Sequence, residues 1–429
     1  MSPPDQVSPP SESPRRLAPF DQADPAPAAE DRQVTGEFSG LTLQSVFQPI
    51  FSPAHGRAVG YEALIRAQGP GNLPVSPVEL FQMPKNANED CLLDCVCRSV
   101  HLSNFIAQQH HHGWLFLNVN PMAVLEGNRY TAFFRDLLVK HQFPANRVVV
   151  EILEHNARDE DVLARSIDYY RSLGCLIAID DFGAGESNFE RIWRFKPEIV
   201  KLDRSIIVQA ATNPTVRRTL PSMVALLHQS GCLALAEGVQ TEREAMIAMA
   251  SDVDLVQGFY FARPDRTILD PAAYAEHFTS LWSYFKAAWT SEREQQQIGV
   301  AEYVHALDHA GSGLERGKPL REAAWQFLEL PRCERVYLLD WQGVQNSDTI
   351  KALRLGPYDP RFEPIAESLG ADWSRRDYFQ AAIANPRKVH VSAPYLSASS
   401  PIQCITLSIA VLVNGETRVL CGDIHWAER

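Results

Sequence analysis

From about residue 115 onward, short apolar runs alternate with longer stretches whose apolar residues recur at helical spacing. The runs cover 115–120, 148–153, 176–180, 199–203, 232–237 and 256–260, with amphipathic stretches such as 161–173 and 215–229 between them. Such alternation predicts parallel strands joined by crossover helices. Ahead of it, two apolar runs at 46–51 and 59–66 flank a turn-forming segment with Pro53 and Gly56, which predicts an antiparallel hairpin. Eight strands in about 220 residues predict an α/β fold, a modified TIM-type (β/α)8 barrel whose first strand is antiparallel.

Nearly every run carries a polar residue near its end: Glu62, Asn118, Glu151, Asp180 with Asp181, Lys201, Glu237 and Gln257. The parallel strands of a barrel point their C-terminal ends at one face, where active sites lie, so these side chains are expected to converge. The run 176–180 is the sharpest case, because it stops at two adjacent acids and a loop with Gly183 and Gly185. Adjacent carboxylates repel unless a positive charge sits between them, and a divalent cation or a pair of them would serve. A solvated Asp-Asp turn is the alternative for that stretch alone. The matching residues on the other strands favour the site.

The 429 residues carry a formal net charge of -12, which argues against a binder of nucleic-acid polymers. No apolar run approaches the length of a membrane span, and the N-terminus lacks the apolar core of a signal peptide. The eight cysteines include no Cys-x-x-Cys pair, so the reading is a reduced, cytoplasmic protein. Residues 1–40 are rich in Pro, Ser and acids and predict a disordered tail. His110, His111 and His112 are consecutive, share no face, and read as a solvated loop.

Glu62, Ala63 and Leu64, followed by Arg66, resemble the signature of the EAL family of cyclic-di-GMP phosphodiesterases. Further family motifs follow in order: Gln48, Pro49 and Ile50; Asn118; Glu151 with Glu154; Asp180 to Gly183; Lys201 with Asp203; Glu237 to Val239; and Gln257 to Phe259. The resemblance implies two-metal hydrolysis of cyclic-di-GMP to linear pGpG with Mg²⁺ or Mn²⁺. It implies that Glu62, Asn118, Glu151 and Asp180 hold one metal, and that Asp180 and Asp181 help hold the second. It implies Lys201 and Glu237 as catalytic groups, with Glu154 steadying the loop after Asp181. Substrate contacts fall to Gln48, Glu62, Leu64, Arg66, Asp181 and Gln257, and homodimerisation is a family expectation.

The chain departs from the family pattern at Ala184 and Glu186, at Gln240, and over residues 84–90, where the usual helix start is missing. The first two positions put regulation in question more than chemistry. A catalytically silent cyclic-di-GMP receptor is the rival reading, and an unrelated barrel hydrolase is a third. Beyond the barrel domain at 41–268, residues 269–299 read as a connector helix and 300–429 as an α+β domain. The segments 373–379 and 392–397 resemble the Cache domains, relatives of PAS domains, which implies a sensor for an unknown small ligand. Trp373, Arg375, Tyr378 and Asp423 read either as pocket-lining residues or as core and turn residues.

Overall fold

A computed structural model of the chain describes residues 26–27, 33–108, 113–124, 132–153, 160–184, 189–353, 367–397 and 403–426. They divide into two compact units, Met1–Lys286 and Ala287–Arg429. Among the described residues no helix is long and apolar enough to cross a membrane.

In the first unit, β1 (Val34–Phe38), β2 (Leu41–Ser52) and β3 (Arg57–Gln68) form an antiparallel meander. Order therefore begins before residue 41, which corrects the upper part of the predicted 1–40 tail. Ser39 and Gly40 turn the chain with positive φ, and Asn104 holds both backbone polar groups of Val34 at 2.7 Å. The strands β4 (Trp114–Asn118), β5 (Val148–Leu153), β6 (Leu176–Phe182), β7 (Ile199–Leu202), β8 (Leu233–Ala236) and β9 (Leu255–Val256) follow. From β3 to β9 each pairs in parallel with the next, and β9 meets β2 antiparallel, closing an eight-stranded barrel. The antiparallel first strand is as predicted. The last strand is shorter than its apolar run, because the chain turns after Val256 through Gly258.

One apolar layer fills the barrel: Ile50, Phe116, Val149, Ala178, Ile199, Leu235 and Leu255, all at most 3% exposed. The eighth strand contributes Gly60, directly opposite Ile50. A Cβ at Gly60 would lie 2.7 Å from Cε2 of Phe116, so the phenyl ring takes the space a side chain would need. Side chains along a strand alternate faces, so the residue two positions on points inward again. Two steps toward the barrel mouth from this layer stand Gln48, Glu62, Asn118, Glu151, Asp180, Lys201, Glu237 and Gln257. The ladder continues past the ends of β8 and β9, where Glu237 N donates to Leu202 O at 3.1 Å and Gln257 N to Ala236 O at 2.9 Å.

Helices surround the barrel, among them α1 (Ala87–Ala107), α2 (Glu160–Leu173), α3 (Arg204–Thr212) and α4 (Pro214–Gln229). Although residues 84–90 lack the family's helix start, α1 is capped by Asn86, whose side chain accepts from the backbone N–H groups of Asn88 and Glu89.

The predicted connector helix, α5 (Ala275–Glu315), does not stop at residue 299. Its Phe278 and Leu281 belong to the first unit's core, while Tyr303, Leu307, Ala310 and Leu314 are buried in the second unit's. The second unit carries an antiparallel sheet of β10 (Cys333–Leu339), β11 (Ile350–Lys351), β12 (His390–Val391), β13 (Tyr395–Leu396), β14 (Gln403–Val413) and β15 (Glu416–His425), with helix α6 (Asp377–Ala384) packed on one face.

His101 on α1 is 6% exposed, and its Nδ1 shares a 2.8 Å hydrogen bond with the Ser45 hydroxyl. Burial pushes its imidazole down to about 3. The unfolded chain takes up this proton near pH ~6.5, so the neutral ring's contribution is complete above that and is lost as pH falls toward the folded value. Urea unfolding should show this group alone costing about 2 kcal/mol between pH ~7.5 and ~5. A His101→Gln variant should lose that increment; equal pH slopes in both proteins would contradict it.

Candidate active site

The polar ring is a connected network. Lys201, 1% exposed, sits among three acids: 2.6 Å from Glu151 Oε1, 3.1 Å from Asp180 Oδ1 and 2.5 Å from Glu237 Oε1. On the opposite side, Gln257 Nε2 donates to Glu62 Oε2 at 2.7 Å and lies 3.3 Å from Gln48 Oε1. Asn118 Nδ2 lies 3.3 Å from Glu62 Oε1. Burial alone would lower the Lys201 ammonium, but Glu151, Glu62 and Asp180 outweigh it and hold it charged. Burial pushes the fully buried Glu151 carboxyl well above the usual range, with repulsion from Glu62 and Asp180 added, while Lys201 pulls the other way. In this pair the ammonium is retained, since three carboxylates face it within 3.1 Å.

The two adjacent acids present a steric problem, because consecutive residues of a regular strand point to opposite faces. The chain resolves it with an irregularity. The pairing of β6 with β7 shifts register between Ile179 and Phe182, and Asp181 takes a left-handed φ of 57°. Such a bulge re-aims a side chain, and aspartate tolerates the conformation better than most residues. As a result, carboxylate oxygens of Asp180, Asp181 and Glu237 all lie within 4.8 Å of one another. Gly183 completes the turn with φ of 97°, and a Cβ there would fall 2.0 Å from Cδ1 of Ile206 on α3.

The donor set fits divalent metal. Every candidate ligand atom is oxygen, the preference of Mg²⁺, Mn²⁺ and Ca²⁺. Glu151 is 0% exposed, yet its Oε2 has no hydrogen-bond partner in the described structure. Fully ionised, Glu62, Glu151, Asp180, Asp181 and Glu237 face the one ammonium of Lys201 with four negative charges left over, the charge that two divalent cations neutralise.

Of the remaining predicted residues, Arg66 is exposed at the mouth with Nη1 on the Ile65 carbonyl, and Leu64 is half-buried. Ala184 is exposed. Glu154, Glu186 and the three histidines lie outside the described residues. Gln240 stands apart from the ring, its Oε1 accepting from Arg204 Nη2 at 2.9 Å. In the second unit Trp373, Tyr378 and Asp423 line one cavity. Arg375 is exposed instead, and the neighbouring Arg376 takes the place expected for it.

Sequence reasoning misses the support behind Asn118. Asp94 Oδ1 accepts from the Asn120 backbone N–H at 2.9 Å, and its other oxygen pairs with Arg98, which in turn donates to the Tyr170 hydroxyl at 3.0 Å. Asp94 and Arg98 are buried. The signal was a charged pair at i, i+4 inside an otherwise apolar stretch of α1.

Residues 31–264 match the EAL domain family, and this chain belongs to it. The EAL-domain protein YkuI of Bacillus subtilis is 24% identical over 360 residues, covering 80% of this chain and 84% of YkuI. A crystal structure of YkuI, described as a complex with substrate c-di-GMP and calcium, superposes with a TM-score of 0.75 at 22% identity, covering 90% of this chain and 97% of that one. At that identity the likeness speaks for the fold. RocR of Pseudomonas aeruginosa, a cyclic di-GMP phosphodiesterase, is 28% identical over 233 residues, which is 53% of this chain and 58% of RocR. An uncharacterised protein of Azorhizobium caulinodans is also 28% identical over 233 residues, and this chain spans 31% of its length. The chain thus spans less than two thirds of the last two relatives.

Gly183→Ala should cost about 1–3 kcal/mol in denaturant unfolding, from the left-handed backbone and the Ile206 contact. By displacing Asp181 it should also weaken Mn²⁺ binding about 10-fold or more by calorimetry. Unchanged Mn²⁺ affinity would show that the turn does not aim the carboxylates.

Proposed function

We propose that this chain hydrolyses one phosphodiester bond of cyclic-di-GMP to give linear pGpG, using Mg²⁺ or Mn²⁺. The observation that carries the reading is the ring of polar side chains on all eight strands, with a charged, buried Lys201 and a surplus of carboxylate. Glu62, Asn118, Glu151 and Asp180 would hold one metal, and Asp180 with Asp181 would hold the second; bound there, the pair would lower the pKa of a water and offset phosphate charge.

The chain's own groups do the rest. Lys201, held charged by the acids around it, acts as a positive charge beside the attacking water and the charge that develops on the phosphate. Glu237, less buried than Glu151, takes the water's proton. The water oxygen bonds to phosphorus as the bond to one ribose 3′ oxygen breaks, and that oxygen leaves with a proton. Gln257, itself held by Gln48, orients Glu62, and both glutamines contact the substrate, with Leu64 against it. Arg66 grips the phosphate, which suits a guanidinium at an open mouth. Glu154 steadies the loop after Asp181.

Residues 300–429 act as a sensor that regulates the barrel, the chain works as a homodimer, and it resides in the cytoplasm, in keeping with eight buried free thiols. The likeness to YkuI over both units supports the pairing of barrel and second unit.

The test is chromatography of cyclic-di-GMP incubated with the protein and Mg²⁺ or Mn²⁺, with and without chelator. Linear pGpG should form, chelator should stop it, and Glu62→Ala should lower the rate at least ~100-fold. Binding without turnover in the presence of either metal would replace the enzyme by a silent receptor.

A further inference from the structure

A buried ion pair stands behind the polar ring and is no member of it. Asp94 and Arg98, one turn apart on α1, are 8% and 1% exposed. Arg98 Nη2 pairs with Asp94 Oδ2, and its Nη1 donates to the Tyr170 hydroxyl on α2 at 3.0 Å. Its guanidinium lies 5.2 Å from the centre of the Phe134 ring and 5.8 Å from that of Phe133. The pair thus sits where α1, α2 and the helix Phe133–Lys140 meet.

Packing alone does not call for charges at this place. Taking two charges out of water is costly, and apolar side chains of similar volume often hold such a junction as well or better. What an apolar pair cannot supply is the other carboxylate oxygen. Asp94 Oδ1 accepts from the Asn120 backbone N–H at 2.9 Å.

That amide occupies a particular point of the chain. Strand β4 ends at Asn118, and past it the ladder gives one long bond, from Val119 N to Glu151 O at 3.3 Å. The following N–H, that of Asn120, goes to Asp94, and a bond to a carboxylate is stronger than one to a neutral carbonyl. Asn118 is the last residue of its strand and is exposed, so packing around its side chain does little to fix it. Its backbone is instead held from both sides, by the strand before it and by Asp94 two residues on.

We propose that Asp94 is a positioning residue for the metal site: by holding the Asn120 amide it sets where the Asn118 side chain stands, and Arg98 fixes the Asp94 carboxylate in turn. The role rests on the reading of Asn118 as a metal ligand, and it places part of the site's support on a helix outside the barrel.

The test is calorimetry of Mn²⁺ binding to the full chain and to two charge-free double variants. Asp94→Asn with Arg98→Met removes both charges and keeps an oxygen for the Asn120 amide. Asp94→Leu with Arg98→Met has nearly the same shape and lacks that oxygen. The Leu variant should bind Mn²⁺ at least ~10-fold more weakly than the Asn variant, which should stay close to the unaltered chain. A role in stability alone predicts equal affinity in the two variants, and that result would overturn the proposal. If the Leu variant does not fold, hydrogen exchange of the unaltered chain reads the same link from the other side. Mn²⁺ should then slow exchange of the Asn120 amide, and unchanged exchange would count against the role. Asn118→Ala separates this role from the reading beneath it. If that variant binds Mn²⁺ as tightly as the unaltered chain, Asn118 is no ligand, and the metal assignment falls together with the role of Asp94. If it weakens binding while the Leu variant does not, the role of Asp94 falls alone. A chain that shows the expected affinities yet leaves cyclic-di-GMP intact refutes hydrolysis and keeps the positioning role.

Discussion

The contact on which the site depends is the ammonium of Lys201 among Glu151, Asp180 and Glu237. A buried charge is costly unless paired, and a cluster of buried acids costs more still. Lys201 makes the cluster tolerable without neutralising it. One cation at the centre keeps three strand ends together, and the remaining negative charge is an electrostatic demand for divalent ions. The same arrangement fixes the lysine's own chemistry. With three carboxylates around it the ammonium is held charged, which suits it to stabilise negative charge.

The ring could not stand where it does without the layer below. Each member sits two positions from a residue of that layer, seven of them apolar and one Gly60, so strand periodicity turns all eight polar groups inward at the same height. The layer is dense enough that one strand must contribute glycine, Gly60, to make room for Phe116. A packed floor of this kind leaves its strands little freedom to shift, which suits ligands whose spacing must be kept.

Much of this was legible in the sequence because it follows from period and alternation. The apolar runs placed the strands, and the polar residue at the end of each run placed the site. The hairpin at the start gave the antiparallel strand. What periodicity could not show was the aim of Asp181, since a two-residue period sends it away from Asp180; a register shift and a left-handed residue bring it back. The strand Val34–Phe38 was hidden by the Pro-rich composition upstream, which says nothing about five residues that pair with β2. The extent of α5 was hidden for another reason: its polar middle looked like an end, while its apolar stripe resumes at Tyr303. The exchange of Arg375 for Arg376 is a one-residue phase error, the kind that decides which of two adjacent arginines meets a cavity.

The irregular part of the site is also the part open to adjustment. All eight ring members stand on or at the ends of strands locked by the apolar layer, with Asp181 beside them. Asp181 alone owes its aim to a bulge and a turn, and that turn is held through Gly183 against Ile206 on α3. A small displacement of α3 would therefore move one carboxylate and leave the others in place. Such a movement changes the spacing of Asp181 from Asp180 and Glu237, whose carboxylate oxygens now lie within 4.8 Å of its own. A barrel built this way keeps its fold while the aim of one carboxylate rests on a single helix–turn contact, and the positions where this chain departs from its family, Ala184 and Glu186, follow that turn directly in the sequence.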